Sequence, residues 1–183
     1  MPDVWFTSDL HLGHRSVIEF CNRPFDNVDH MDQMLIRNWN DRVHPGDRVY
    51  VLGDFSFHSE GRTIDILNEL QGQKYLIWGN HDKHLRNKDT VKSKFVACKD
   101  IYSVKVDGQH IVCCHFPMVT WDRCHHGSWH LHGHSHGGLS PLPGKRIDVG
   151  VDSWDYKPVS FREITVAMRK LEFASLDSRY DDE

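Results

Sequence analysis

The sequence lacks several features that would place a chain in a whole class of proteins. No apolar run approaches the length of a membrane span, and the opening MPDVWFTSD has no basic segment followed by an apolar stretch. The 5 cysteines include no C-x-x-C pair, which argues against a zinc knuckle and against a disulfide framework. We therefore expect reduced thiols in a soluble, cytoplasmic protein that does not bind membranes.

Positive charge is also in short supply. The chain has 22 Lys and Arg residues against 26 Asp and Glu residues, a formal net charge of −4. Duplex nucleic acid and anionic membranes are bound mainly through clusters of Lys and Arg. We expect no stable nucleic-acid complex, so an anionic substrate must be attracted locally, for instance by bound cations.

Histidine, in contrast, is abundant. The chain has 15 histidines, and each neutral imidazole can bind a metal or carry a proton near neutral pH. The stretch WHLHGHSHGG, at 129–138, places four of them at every second position. If the whole stretch were a β-strand, all four imidazoles would point to one side, which is a poor way to build an apolar core.

Strand and helix patterns alternate in the first half of the chain. Short apolar runs that end in polar or glycine residues predict buried strands at 4–11, 48–55, 74–82, 110–117 and 129–136. Helical patterns lie between the first three runs, at 15–22, 30–43 and 61–71. This alternation predicts an α/β layered fold.

The second half adds a hairpin and a closing helix. The pair Asp107-Gly108 separates two apolar runs and predicts a tight turn between antiparallel strands, so the sheet should be mixed. Ser160 stands three residues before Glu163, the spacing of a capping box, and begins a helical pattern that extends to about residue 172. We expect one domain over 1–183, with 175–183 as a flexible tail.

All five apolar runs end in residues that bind metals or carry protons. These residues are Asp9, His11, Asp54, Asn80, His81, His115, His134 and His136. Because the carboxyl ends of strands form the ligand crevice of open α/β sheets, we expect them to converge. Without His81 they supply two carboxylates, one amide oxygen and four imidazoles, too many donors for one tetrahedral zinc but suitable for two ions that share a bridging carboxylate. Such a pair of ions can clamp a phosphoryl oxygen and acidify a bridging water, which is the chemistry of phosphoester hydrolysis.

The polar segments also match a known pattern in their order. D-x-H at 9–11, G-D at 53–54, G-N-H-D at 79–82, a lone His115 and G-H-x-H at 133–136 together resemble the calcineurin-like metallophosphoesterase superfamily. Jointly these motifs are specific, although D-x-H or G-D alone would mean little. The resemblance implies a layered mixed β-sheet sandwich flanked by helices.

The resemblance also implies roles for individual residues. One metal ion would be bound by Asp9, His11, Asp54 and His136, and the second by Asp54, Asn80, His115 and His134. His81 would be the catalytic histidine, which protonates the leaving oxygen or stabilises the phosphoryl charge. Asp82 follows it and could hold the His81 imidazole protonated and oriented.

Other polar residues near these motifs keep two interpretations each. His14 and Arg15, at the expected start of a helix, either contact a phosphate of the substrate or are merely solvated. His130 and His132 are either packed, hydrogen-bonded sheet histidines or substrate contacts. The pair at 125–126 either lines the crevice or lies exposed in a loop.

The motifs narrow the substrate class. Phosphoprotein phosphatases of the superfamily carry G-D-x-x-D-R-G and G-N-H-E, whereas Gly53 is followed here by DFSFH and the last motif ends in Asp82. The chain resembles small bacterial and phage-encoded members, several of which hydrolyse cyclic nucleotides. We expect a phosphodiesterase for small nucleotide-type diesters, 2′,3′-cyclic ones included; the alternatives are a phosphomonoesterase and a non-catalytic scaffold.

The sequence specifies the identity of the metal less clearly than it specifies the donors. Mixed imidazole and oxygen donors suit Fe²⁺, Zn²⁺, Ni²⁺ and Co²⁺ as well as Mn²⁺, and we expect manganese (Mn²⁺) to support activity. The sequence leaves the oligomeric state and the physiological substrate open.

Overall fold

A computed structural model of the chain describes residues 2–140 and 142–172, so the predicted tail at 175–183 lies outside the described residues. The strands are β1 (Val4–Thr7), β2 (Arg48–Val51), β3 (Gln73–Ile77), β4 (Ala97–Lys99), β5 (Ile101–Val106), β6 (Gln109–Cys114), β7 (Trp129–His132), β8 (Arg146–Asp148) and β9 (Val159–Ser160). The α-helices are α1 (Arg15–Phe20), α2 (Val28–Asn40), α3 (Glu60–Glu69), α4 (Lys83–Arg86), α5 (Asp89–Lys92) and α6 (Phe161–Arg169).

Within these residues the strands form two mixed sheets. The first has the order β4-β3-β2-β1-β9, in which β1 to β4 are parallel and β9 is antiparallel to β1. The second has the order β5-β6-β7-β8, in which only β5 and β6 form an antiparallel pair. The predicted α/β fold, a layered mixed-sheet sandwich flanked by helices, is confirmed.

The first sheet carries an apolar core on each face. Trp5 and Val51 pack with residues of α2 and α3, whereas Phe6 and Tyr50 pack with residues of the second sheet. Because neighbouring side chains of a strand point to opposite faces, a strand buried on both faces is apolar along its whole length. This double burial explains why β1 and β2 read as continuous apolar runs in the sequence.

Each of the five predicted strands exists but ends earlier than its apolar run. They end at Thr7, Val51, Ile77, Cys114 and His132. The residues that follow are also buried in several cases, for instance Leu10 and Phe55, so burial continues where the strand stops. The sequence analysis therefore merged each strand with the loop after it, and it missed β4, β8, β9, α4 and α5, which are too short to show a period.

The predicted turn and cap are both confirmed. Asp107 and Gly108 have φ angles of 47° and 87° and join β5 to β6, as a two-residue hairpin turn requires. The Ser160 hydroxyl accepts a hydrogen bond from the Glu163 backbone N–H at 3.2 Å, and the Glu163 carboxylate accepts one from the Ser160 N–H at 2.9 Å. The helix that they start ends at Arg169 rather than near 172. No helix among the described residues has the length and apolar character to cross a membrane.

We expect Ser160→Ala to lower the free energy of unfolding by about 1 kcal/mol, because the first turn of α6 loses its side-chain cap. Urea unfolding measures this change. The exposed Ser16 in α1 is the control, since Ser16→Ala should change the same quantity by less than about 0.5 kcal/mol. Equal losses in the two variants would contradict the capping role.

Candidate metal centre

The predicted donor residues follow the carboxyl ends of five strands. Asp9, Asp54 and Asn80 come after β1, β2 and β3 of the first sheet, while His115 and the 134–136 segment come after β6 and β7 of the second. Parallel strands bring their carboxyl ends to the same edge, and the two sheets pack so that these edges adjoin. The structure thus brings together donors from the whole length of the chain.

One group of donors is centred on Asp9. The ligand atoms of Asp9, His11 and His136 all lie within 4.8 Å of one another, and each imidazole Nε2 is 3.9 Å from Asp9 Oδ1. Asp9 Oδ1 and His11 Nε2 are buried and have no hydrogen-bond partner. Because buried polar atoms are almost always paired, these two orphaned atoms fit a bound cation.

A second group adjoins the first through Asp54. Asp54 Oδ2 lies 3.5 Å from His11 Nε2 and 3.5 Å from His115 Nε2, a position between the groups. Asn80 Oδ1 lies 2.9 Å from His115 Nε2 and 3.0 Å from His134 Nδ1. All seven predicted donors therefore lie in two adjacent groups with Asp54 between them, and their binding of metal stays a prediction.

Two of the imidazoles are oriented by groups behind them. His115 Nδ1 donates to the Leu52 carbonyl at 2.7 Å, which turns the other nitrogen toward Asp54. The Nδ1 atoms of His11 and His14 lie 3.1 Å apart, so one ring donates to the other. A partner on one nitrogen fixes which nitrogen of a histidine is free to bind a metal.

Backbone strain concentrates at these donors. Five of them, none a glycine, have φ in the left-handed region, namely Asp9 (57°), His11 (53°), Asp54 (52°), His134 (68°) and His136 (47°). This conformation costs L-residues on the order of 1–2 kcal/mol each. It persists where surrounding structure enforces it, and it clusters at functional sites.

Burial also shifts the proton equilibria of the first group. Burial raises the pKa of Asp9 to about 6, because the ionised carboxylate loses its water. Burial, together with the positive charges of His136 and Arg23, lowers the pKa of His11 to about 2. His11 is therefore neutral at physiological pH, and a neutral imidazole is the form that binds metals.

The structure corrects our expectation for Asp82. Its buried carboxylate accepts three backbone N–H groups at 2.9 Å, those of Asp54 and Gly79 on Oδ2 and that of Phe55 on Oδ1. Both oxygens are engaged by the backbone, so Asp82 does not orient the His81 imidazole. It ties the G-D loop to the G-N-H-D loop instead.

His81 itself lies exposed at the rim of the donor groups. Its backbone N–H donates to Asp54 Oδ1 at 2.8 Å, and its ring centroid is 5.5 Å from that of His11 and 5.2 Å from that of Phe57. The imidazole is thus held close to the centre while open to solvent. This position suits a proton donor to a substrate.

The two candidate phosphate contacts are placed differently. The His14 ring stacks on Phe57 at 4.0 Å and hydrogen-bonds His11, so it lies beside the donors. Arg15 is exposed and lines a surface depression with Glu19 and Asp26, whose carboxylates would compete with a phosphate. Phosphate binding by His14 or Arg15 stays a prediction.

The remaining histidines of the 129–138 stretch turn away from the donors. His130 is buried, donates from Nδ1 to the Val112 carbonyl at 3.0 Å, and accepts the Met118 N–H on Nε2 at 3.1 Å. His132 is also buried, and its Nδ1 lies 3.0 Å from the Gly133 carbonyl. They are packed, hydrogen-bonded sheet histidines. The pair at 125–126 precedes β7, at the strand end opposite to the site.

The sequence analysis did not identify two residues that are functional candidates. Asp152 Oδ2 lies 2.7 Å from His136 Nδ1, and both Asp152 oxygens accept hydrogen bonds from Arg23 at 2.8 Å. Arg23 and Asp152 are 129 residues apart and belong to none of the five motifs. Only the tertiary structure could reveal this pair.

Close packing explains the glycines that begin the G-N-H-D and G-H-x-H motifs. A Cβ on Gly79 would overlap Asp54 Oδ1, and a Cβ on Gly133 would overlap Ser8 Oγ and Asp9 Oδ2. No side chain fits where the backbone approaches a carboxylate this closely. The glycines let the loops from different strands reach the same centre.

We therefore expect Gly133→Ala to weaken Mn²⁺ binding about 10- to 100-fold, because Asp9 must move. Isothermal titration of the metal-free protein measures the affinity. Gly61→Ala in α3 is the matched control, since a Cβ there meets nothing within 4 Å and binding should be unchanged. Wild-type affinity in the Gly133 variant would contradict this reading of the loop.

No protein-family model matches the chain. The chain is 34% identical over 178 residues to the uncharacterized protein MJ1445 of Methanocaldococcus jannaschii, covering 93% of each. It is 33% identical over 186 residues to the Gene 66 protein of Mycobacterium phage L5, covering 84% of this chain and 88% of the phage protein. The structure of the protein of unknown function AQ665 from Aquifex aeolicus matches with a TM-score of 0.72 and 26% identity, covering 91% of this chain and 100% of that chain.

The two mixed sheets bring the His/Asp donors together at adjoining strand ends. The chain belongs to the family that includes MJ1445 and the phage protein.

Proposed function

We propose that this protein is a metal-dependent phosphodiesterase that hydrolyses small nucleotide-type diesters, 2′,3′-cyclic ones included. The observation that carries the proposal is the arrangement of seven donors in two groups around Asp54, with Asp9 Oδ1 and His11 Nε2 buried and unpartnered. A non-catalytic scaffold has no use for these strained and unpaired groups. The exposed His81 at the rim adds a proton carrier to the same place.

The donor set fits two divalent cations. Asp9, His11, Asp54 and His136 would hold one, and Asp54, Asn80, His115 and His134 would hold the other. When bound, they would polarise the phosphoryl group and lower the pKa of an attacking water. We propose Mn²⁺, and Fe²⁺, Co²⁺, Ni²⁺ and Zn²⁺ suit the same mixture of imidazole and oxygen donors.

Individual donors differ in their access to solvent. Asp9 and His11 are buried, whereas His134 is exposed and Asn80 is half-buried. A substrate therefore approaches from the side of His134 and His81. Phe116 lies at this entrance, 45% exposed and 4.8 Å from the His134 ring, where its face could stack on a nucleobase. A ring placed for stacking of this kind supports the proposal of a nucleotide-type substrate.

Hydrolysis also requires a proton for the leaving group. The His81 backbone is anchored to Asp54, and its imidazole reaches the open side of the centre. There it can donate a proton to the departing alkoxide, as a general acid does. The stacked rings of Phe57 and His14 beside it limit the positions that the imidazole can take.

The first test is hydrolysis by the protein supplied with Mn²⁺, measured on bis(p-nitrophenyl) phosphate, p-nitrophenyl phosphate and 2′,3′-cyclic AMP. We expect the diesters to be hydrolysed faster than the monoester. Asp54→Ala should lower kcat/KM by more than about 100-fold, because a metal ligand is lost. His44→Ala is the control, since His44 is exposed before β2 at the opposite strand end. Hydrolysis of the monoester alone would indicate a phosphomonoesterase, and no hydrolysis with any of the five metals would contradict the proposal.

His81→Ala tests the proposed acid. Diesters with alkoxide leaving groups should lose about 100-fold or more in kcat, whereas p-nitrophenyl diesters should lose far less, because nitrophenolate leaves without a proton. His44→Ala, the control of the first test, should leave both rates near wild type, because His44 is exposed at the opposite strand end. Equal losses on both kinds of diester would count against the role of His81.

A further inference from the structure

A buried ion pair lies behind one of the two donor groups. The Arg23 side chain is 0% exposed and that of Asp152 is 6% exposed, and the guanidinium Nε and Nη2 donate to Oδ1 and Oδ2 at 2.8 Å each. Taking two charges out of water costs several kcal/mol each, so a buried pair is weak grounds for stability alone. Its other contacts indicate what it does.

The Arg23 end of the pair holds the strained backbone of the D-x-H motif. Nη2 donates to the Asp9 carbonyl at 2.7 Å, and Nη1 donates to the Leu10 carbonyl at 2.9 Å. These carbonyls lie between Asp9 and His11, whose φ angles are 57° and 53°. One guanidinium therefore fixes the segment that carries both donors.

The Asp152 end of the pair holds the third donor. Its Oδ2 accepts a hydrogen bond from His136 Nδ1 at 2.7 Å, which leaves His136 Nε2 directed to Asp9 Oδ1 at 3.9 Å. Such a carboxylate behind a histidine fixes the ring and selects the nitrogen that binds a metal. A single ion pair thus positions all of Asp9, His11 and His136.

The second donor group is positioned by other means. His115 is held by the Leu52 carbonyl, and the G-N-H-D loop is held by the Asp82 carboxylate. In the part of the chain that the structure describes, no hydrogen bond of Arg23 or Asp152 reaches Asn80, His115 or His134. The two groups therefore have different supporting side chains, and one hydrogen bond joins them, from the His134 backbone N–H to Asp9 Oδ2 at 2.9 Å.

We propose that Arg23 and Asp152 are positioning residues for one metal position only, that of Asp9, His11 and His136. Without them this position loses tight binding, while the position of Asn80, His115 and His134 keeps its ion. The inference rests on the proposed dinuclear centre, whose two halves it assigns to different supporting side chains.

The test is titration of the metal-free protein with Mn²⁺, monitored by calorimetry and by electron paramagnetic resonance. The wild type should bind two ions and show the signal of a coupled Mn²⁺ pair. Asp152→Asn should keep one binding event within about 3-fold of wild type and weaken the other about 10- to 100-fold. Its spectrum at one equivalent should be that of an isolated Mn²⁺ ion, a change that a general loss of stability does not produce.

Glu163→Gln is the matched control. Glu163 accepts two hydrogen bonds from Arg42 at 2.7 Å in a more exposed arginine–carboxylate pair elsewhere in the fold. This variant should be less stable but should bind two ions as the wild type does. If Asp152→Asn does not fold, Arg23→Lys takes its place, because the three donors of an ammonium cannot replace the four hydrogen bonds that the guanidinium makes to Asp152 and to the two carbonyls.

Two binding events of wild-type affinity in the folded variant would overturn the inference, and so would equal weakening of both events. Failure of the proposed dinuclear centre gives a different result, since the wild type itself would then bind no Mn²⁺ pair, and the hydrolysis assay tests the proposed function separately.

Discussion

The site depends on polar atoms that are buried without a partner inside the protein. Asp9 Oδ1 and His11 Nε2 are both in this state, and leaving a buried polar group unpaired costs about 1–3 kcal/mol. The left-handed backbone at five donors adds to that cost. A fold keeps such groups in place only when the rest of the structure holds them, and a cation is a partner that would suit both atoms.

The first sheet, which has an apolar core on each face, holds the donor loops in place. Burial of Trp5 and Val51 on one face and of Phe6 and Tyr50 on the other fixes the parallel strands, and their carboxyl ends carry the donor loops. The loops are then tied to one another by polar groups. Asp82 joins two of them through three backbone N–H groups, and the Arg23–Asp152 pair joins two more. The donor positions are therefore set by rigid elements rather than by flexible side chains.

The side chains of this centre differ in their exposure to solvent, and the difference indicates different functions. Asp9 and His11 are buried and their group is supported by a buried ion pair, whereas His134 and His81 lie open to solvent. In a protein with a net charge of −4, bound cations at the open side are the means by which an anionic substrate would be attracted. Both donor groups would then hold a metal ion, and the phosphoester would reach the ions from the open side.

Much of this molecule could be predicted from sequence, because the relevant signals are local. Apolar runs indicated β1, β2, β3, β6 and β7, Asp107-Gly108 indicated the hairpin, and Ser160 with Glu163 indicated the cap of α6. The residue types at the strand ends indicated the seven donors. The strands β4, β8 and β9 and the helices α4 and α5 were missed, since two or three strand residues or a single helical turn show no period.

Only the tertiary structure decided which neighbours these residues have. Asp82 follows His81 in sequence, yet its carboxylate faces the backbone of two loops. His130 and His134 share a spacing, yet β7 ends between them, so that one packs in the sheet and the other meets Asn80. Arg23 and Asp152 are 129 residues apart, and no local pattern links them. The sequence determines which groups are available and the local periods of the chain, whereas the pairing of distant charges depends on how two sheets pack.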